Sequence, residues 1–301
     1  MPSHPSGMTV SNRALIMLAD LLRKNRAELR TRWRRLEPGR QSRQVIAHQR
    51  KGETYADLAT GFDVGTTTVN RYLRAALDLL AAMAPTLAQA IEVARGKACV
   101  ILDASLLRND RVGMTAKQDR PFYSGKYKCH GLNVQVLADP AGRLIWVSPT
   151  LPGSRHDIAA AREHGILDAI DTAELSTLAD TGYQGAGPTV RVPQRRRHLD
   201  PDTGRYRPPS QNQKDANTAH ARQRGPGERA NAELKSWKIL RKIRSSPRRG
   251  TTLVKTVQTI ILASGSNWKS LTVSTSEEAR CTRPAHASSG PSWAWRGRLS
   301  R

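Results

Sequence analysis

The pattern of apolar and polar positions divides the chain into a helical first third and a mixed remainder. From Ala14 onward, Leu15, Leu18, Leu21 and Leu22 recur at helical spacing, with Arg23, Lys24 and Arg26 on the other face, which predicts an amphipathic helix. Met1 to Thr9 before it is rich in Pro and Ser and is expected to be loose. Pro38-Gly39 punctuates the chain, and a run of helix formers follows to His48. Residues 52–73 then have the layout of a helix-turn-helix. A short helix buries Tyr55, Leu58 and Ala59, Gly61 permits the sharp turn, Phe62 and Val64 fill the angle, and a second helix turns Val69, Tyr72 and Leu73 inward. Its outward face carries Thr66, Thr67, Thr68, Asn70, Arg71 and Arg74, side chains that can reach phosphates and base edges. An ordinary helical hairpin inside a bundle would show the same pattern. Leu77 to Ala94 reads as a further helix, closed by Gly96.

After Gly96 the pattern changes class. Ala98 to Leu102 is a short, wholly apolar run of the kind found in a buried central strand, and it ends at Asp103. Tyr127 to Leu137 and Leu144 to Val147 read as two more strands, joined by the turn Asp139-Pro140-Ala141-Gly142. Gly153-Ser154-Arg155-His156-Asp157 opens a helix to about Ile170; Ser154 and Asp157 have capping-box spacing, so His156 and Asp157 are expected to cap the helix or to support metal ligands rather than to ligate. Leu175 to Ala179 is the next apolar run, and it too ends in an acid, Asp180. Residues 189–224 show little apolar periodicity and read as a basic loop or arm. Pro226 suits the first position of a helix to about Ile243, and Leu253 to Leu262 is one more helical stretch. This order of elements is α/β. The expected division is a helical DNA-binding unit at 1–95, an α/β unit at 96–266 with a basic insertion at 189–224, and a disordered tail at 267–301.

Charge sharpens the picture. The 301 residues carry 49 Lys and Arg against 25 Asp and Glu, a formal net charge of +24, far beyond what solubility asks of a domain. The excess is uneven: residues 96–188 carry 10 basic and 10 acidic side chains, whereas 1–95 carry 15 and 8, and 189–250 carry 17 and 5. A neutral acidic block between basic arms is the layout expected if phosphate backbone is held on both sides of a carboxylate site. Arg195, Arg196 and Arg197 form the densest basic run and suit phosphate contacts. No window approaches the roughly 18 uninterrupted apolar residues of a membrane span, so no membrane role is expected. Cys99, Cys129 and Cys281 form no CxxC pair, which argues against a zinc ribbon or a disulfide framework and for a reducing, cytoplasmic setting.

Within the neutral block, Asp103 and Asp180 each close an apolar run, and Glu228 lies on a helix in the following basic segment. Three carboxylates brought together repel one another unless a cation sits between them, and hard divalent ions take such oxygen ligands. Mg2+ or Mn2+ is the expected cofactor, and two ions roughly 3.5 to 4 Å apart would serve an in-line phosphoryl displacement. The residues alone leave open that the aspartates are turn formers and that Glu228 complements a helix start. Glu233 competes as the third acid. Five residues on, it lies about 140° further round the helix, so both glutamates cannot face one site.

Asp103 after its strand, Phe122 to Lys128, Asn133 to Val136, Leu151 to Asp157, Leu178 to Gly185 and Gly227 to Trp237 form an ordered series. Together they resemble the DDE-type transposases of bacterial insertion sequences, in the branch related to the eukaryotic Harbinger elements. The resemblance spans roughly Gln44 to Leu262. It implies an RNase H-like catalytic core behind an all-α helix-turn-helix domain, with Asp103, Asp180 and Glu228 as the metal-binding catalytic triad. It also implies that Lys126 and Lys128 lie near the active-site strands, and that the helix with Arg229 and Lys235 contacts DNA. Relatives of this kind usually stop soon after the last helix, so the tail falls outside the resemblance.

The function this implies is DNA transposition: binding of the element's terminal inverted repeats, cleavage to free a 3′-hydroxyl, and joining of that end to target DNA. The partners are double-stranded DNA and further copies of the chain, at the nucleoid. Two rivals are kept: a non-catalytic DNA-binding protein derived from such an element, and a metal-dependent nuclease without strand transfer.

Overall fold

The computed structural model describes residues 10–30, 34–110, 119–195, 198–199, 202–241, 243 and 247–265. The expected tail at 267–301, the opening Met1 to Thr9, and Arg196 and Arg197 lie outside them.

Five helices open the chain: α1 (Asn12–Glu28), α2 (Pro38–Ile46), α3 (Tyr55–Phe62), α4 (Thr66–Ala82) and α5 (Leu87–Arg95). In α1 the periodic side buries Ala14, Leu18, Ala19 and Leu22, and Ser11 caps it by accepting from the Ala14 N–H. Helices α3 and α4 make the expected helix-turn-helix, with Leu58, Phe62, Val64, Val69, Tyr72 and Leu73 buried. Two details differ. Gly61 lies inside α3, and the left-handed residue that makes the turn is Asp63, at φ 53°. Asp visits that conformation more readily than most residues, and here its carboxylate also accepts from Arg35 Nη2 at 2.8 Å. Tyr55, expected inside, is 36% exposed because it starts α3 at the mouth of a cleft. Nor is Leu77 to Ala94 one helix. Helix α4 runs on to Ala82, Pro85 prevents its continuation, and Thr86 restarts the chain with a capping box.

The remainder is built on a mixed sheet. Its central strands are β1 (Val100–Arg108) and β3 (Cys129–Ala138), antiparallel over eight residues from the Ile101/Ala138 pair to the Arg108/Gly131 pair. Strands β4 (Leu144–Val147) and β5 (Leu151–Pro152) pair with β3, as does β2 (Tyr123–Ser124). On the other side β1 pairs in parallel with β6 (Thr177–Leu178), and β6 with β7 (Val190–Arg191). Asp103 does not end its strand. It sits within β1 opposite Val136, because the long apolar run of β3 keeps β1 paired well past it.

Two helices, α6 (Asp157–Glu163) and α7 (Ile166–Thr172), replace the single helix expected after Gly153. Gly165, at φ 67°, breaks them. The basic stretch 189–224, read as a loop, contains a two-residue hairpin, β8 (His198–Leu199) with β9 (Tyr206–Arg207), and a full helix, α8 (Gln211–Arg224). That helix buries no residue, so periodicity had nothing to reveal; a capping box from Ser210 and Gln213 starts it. Helix α9 (Gly227–Ser236) stops at the extended Trp237, and the short α10 (Lys238–Arg241) follows.

The last described helix, α11 (Pro247–Ser264), ties the two parts together. Thr256 and Thr259 donate through their hydroxyls to the carbonyls of Leu77 and Leu80 on α4 at 3.2 and 3.0 Å, and Thr150 and Thr251 hydrogen-bond toward β5. One apolar cluster therefore runs from Leu18 and Tyr72 through Val254 and Val257 to Val134 and Leu107. A second, with Leu102, Leu137, Trp146 and Tyr183, lies on the other face of the sheet. No single helix among the described residues is long and apolar enough to cross a membrane. Cys99 and Cys129 are free thiols.

Candidate active site

The sheet brings Asp103, Asp180 and Glu228 into one electrostatic neighbourhood. Asp103 projects from β1 toward α9, where Asn231 donates its amide to Asp103 Oδ2 at 2.8 Å. The carboxylate also accepts from the Ala104 N–H at 3.0 Å and lies 3.6 Å from Arg224 Nη1. Its side chain is 14% exposed. Burial raises its pKa to about 6, against the opposing pull of Arg224, and the negative charges of Asp180 and Glu228 add to the rise. Asp180 follows β6, half-buried, and accepts from the Gly182 N–H at 2.8 Å.

Glu228 stands in the first turn of α9, 65% exposed, with Oε1 at 3.5 Å from Arg224 Nη2. The last turn of α8 thus sets one guanidinium between two of the three acids. His220 holds α8 in place, with Nε2 at 2.9 Å from the carbonyl of Ala179, next to Asp180. Asn231 and Arg224 contact Asp103 and Arg224 also reaches Glu228, whereas Glu233 lies toward Arg50. Burial raises the Glu233 pKa, and the nearest compensating charge is Arg50 on the helix-turn-helix side. Among the described residues no three acidic, His or Cys side chains are close enough to form a ready cage for a metal ion.

A fourth acid stands beside Asp180. Asp157 makes no capping box with Ser154, since the residue before α6 is His156 and it makes no side-chain cap. Its carboxylate instead accepts from Asn133 Nδ2 at 3.2 Å and from Lys126 Nζ at 3.3 Å. Behind it runs a buried relay: the Tyr183 hydroxyl donates to Gln135 Oε1 at 2.5 Å, and Gln135 Nε2 donates to Asn133 Oδ1 at 2.8 Å. A Cβ on Gly182 would lie 2.9 Å from Asp180 Oδ1 and 3.2 Å from Asp157 Oδ2, so a larger residue there would push one or both carboxylates from these positions. Asp157 and Asp180 together raise the pKa of Lys126 above its ordinary value, in spite of partial burial. Sequence reasoning missed Asn231 and Arg224 as parts of the site; for Asp157 it expected a cap or a support for the metal ligands, and the hydrogen bonds to Asn133 and Lys126 replace the cap. The Asn133-Gln135 alternation was a usable signal, because two amides two residues apart on an otherwise apolar strand must face one polar partner.

The remaining predicted residues lie outside this pocket. Thr66, Thr67, Arg71 and Arg74 are exposed and Thr68 and Asn70 half-buried along α4, and Arg74 Nε donates to Asn70 Oδ1 at 3.1 Å. Arg229 and Lys235 are exposed on α9, as are Arg195 before the β8–β9 hairpin and Lys128 before β3; Lys126, also exposed, differs in belonging to the site through Asp157.

Comparison with known families accords with this architecture. Residues 35–86 match the helix-turn-helix of DDE superfamily endonuclease. Residues 102–263, more than half of the chain, match DDE superfamily endonuclease, and the chain belongs to that family. No curated protein and no solved structure matches it.

Proposed function

We propose that the protein is a transposase, which binds the terminal inverted repeats of its own element through α3 and α4, cleaves phosphodiester bonds there, and joins the freed 3′ ends to target DNA. The observation that carries this reading is the convergence of Asp103, Asp180 and Glu228 beside one sheet, next to a helix-turn-helix that shares its hydrophobic core. In this reading the α/β part, 96–266, is an RNase H-like core and 1–95 is the DNA-binding unit.

The donor set suits a hard divalent cation. It offers three carboxylates, of which Asp180 and Glu228 are close enough to add to the raised pKa of Asp103, and the buried Asn231 Oδ1, which has no hydrogen-bond partner among the described residues. Asp103, Asp180 and Glu228 would hold Mg2+ or Mn2+, which supplies charge stabilisation for both the attacking and the leaving oxygen. The chain's own residues do the rest. Asn231 and the Ala104 N–H orient Asp103, the Gly182 N–H orients Asp180, and Lys126, fixed by Asp157, presents an ammonium beside them for a phosphate oxygen. Arg71, Arg74 and Thr66 to Thr68 supply groove and phosphate contacts, and Arg195, Arg196, Arg197, Arg229 and Lys235 supply phosphate contacts. Copies of the chain pair on DNA so that two element ends are held together.

The testing experiment incubates the protein with a duplex carrying the element's own end and a plasmid target. Metal-dependent nicking followed by covalent joining is expected. Nicking without joining would favour a simple nuclease, and specific binding without nicking would favour a DNA-binding relic.

A further inference from the structure

A second cavity lies away from the acids, in the seam between the helix-turn-helix and the end of the chain. It has a volume of about 610 Å³, within the range of small-ligand pockets. Its floor is apolar, from Leu77 on α4, Ile239 on α10 and Leu253 on α11, and Tyr55 stands at its edge with more than a third of its surface exposed. The Tyr55 ring is set against the His48 ring, centroids 5.5 Å apart.

The rim is basic. Lys51, Arg74, Lys238 and Arg249 come from four separate elements, and none of them forms an ion pair among the described residues, although Glu53 and Asp78 line the same cavity. His48 adds a directed polar group. Burial lowers its pKa, and its Nδ1 lies 2.8 Å from the carbonyl of Glu53, which requires the N–H on Nδ1 and leaves Nε2 as an acceptor. An apolar floor, an exposed aromatic ring, an acceptor nitrogen on a half-buried imidazole and a rim of cations without ion pairs together match an aromatic base that carries phosphate.

We propose that this cavity binds a nucleotide unit, with its base against Tyr55, Leu77, Ile239 and Leu253 and its phosphate on Lys51, Lys238 and Arg249. Base stacking and cation pairing each contribute at such sites, and neither requires a duplex. The nucleotide is either free in solution or an unpaired residue of a DNA strand. The binding is independent of the acidic site, because no residue is shared between them.

The test uses the full chain and two probes, a fluorescent ATP analogue and a fluorescein-labelled oligo-dT strand, measured by anisotropy. Lys238→Glu with Arg249→Glu removes the rim charge, and Tyr55→Ala removes the ring. Saturable ATP binding weakened about tenfold in both variants identifies a free nucleotide. The same loss confined to the oligonucleotide identifies an unpaired strand. Binding of neither probe by the wild-type chain would overturn the proposal, as would undiminished affinity in both variants. Inorganic triphosphate competing as well as ATP would also overturn it, since the base would then add nothing. Asp103→Ala should bind the probes like wild type. That result separates this site from the acidic one whether or not the protein cleaves DNA.

Discussion

The side-chain amide of Asn231 donates to Asp103 Oδ2 at 2.8 Å across a separation of 128 residues, a polar tie between α9 and the central strand beside the apolar packing of Ala230 and Leu234. The same α9 face carries Glu228 three residues earlier, one helical turn away. Asn231→Leu should therefore leave a part-buried carboxylate without its closest side-chain donor, at a cost of about 1–3 kcal/mol. Denaturant unfolding at neutral pH checks this, and Asn231→Asp should be worse than Leu because it adds a further negative charge.

Arg224 lies between Asp103 and Glu228, so its removal exposes their repulsion. Arg224→Ala should lower the melting temperature in metal-free buffer, and millimolar Mg2+ should recover most of the loss if the acids share a cation. A melting temperature that drops and does not respond to Mg2+ would show that Arg224 acts only as a structural tie.

Burial and its neighbours lift the Asp103 pKa from 3.8 to about 6. The unfolded chain thus releases this proton first, and stability falls as pH rises from about 4 through 6. Above pH 6 the full penalty, on the order of 1–3 kcal/mol, is present. Asp103→Asn should accordingly stabilise the metal-free protein at pH 8 and have little effect at pH 4. Thermal melts of both proteins at the two pH values give the comparison.

Arg71 and Arg74 lie on α4, the second helix of the helix-turn-helix, while Arg195 to Arg197 belong to the basic stretch 189–224 of the sequence. Neutralising the first pair should weaken binding to element ends more than to random duplex. Neutralising the triple-Arg run should weaken both alike, with the slope of log affinity against log salt falling by about 0.9 for every phosphate that is no longer neutralised. Anisotropy titrations over a salt series would reveal either pattern.

Much of this was readable in the residues. The helix-turn-helix followed from Leu58, Phe62, Val64, Val69, Tyr72 and Leu73, because inward spacing survives even when the turn residue is misassigned, as with Gly61 for Asp63. Asp103 was visible against its apolar run, but the strand's extension past it was not, since that depends on pairing with β3. Helix α8 was invisible because it buries nothing: its role is to deliver His220 and Arg224 to the acids, and such contacts leave no periodic trace. Asp157 looked like a cap because Ser154 stands three residues before it, and only the fold shows that Asn133 and Lys126 claim its carboxylate.

The central claim rests on three acids acting as one. The most direct measurement is nicking of a duplex carrying the element's end, in Mg2+, by wild type, Asp103→Ala, Asp180→Ala, Glu228→Ala and Glu233→Ala, with end binding measured in parallel. The account expects the first three variants to lose cleavage while still binding the end, and Glu233→Ala to cleave nearly as wild type does. Nicking at the wild-type rate in Asp180→Ala, or an inactive Glu233→Ala beside an active Glu228→Ala, would contradict it.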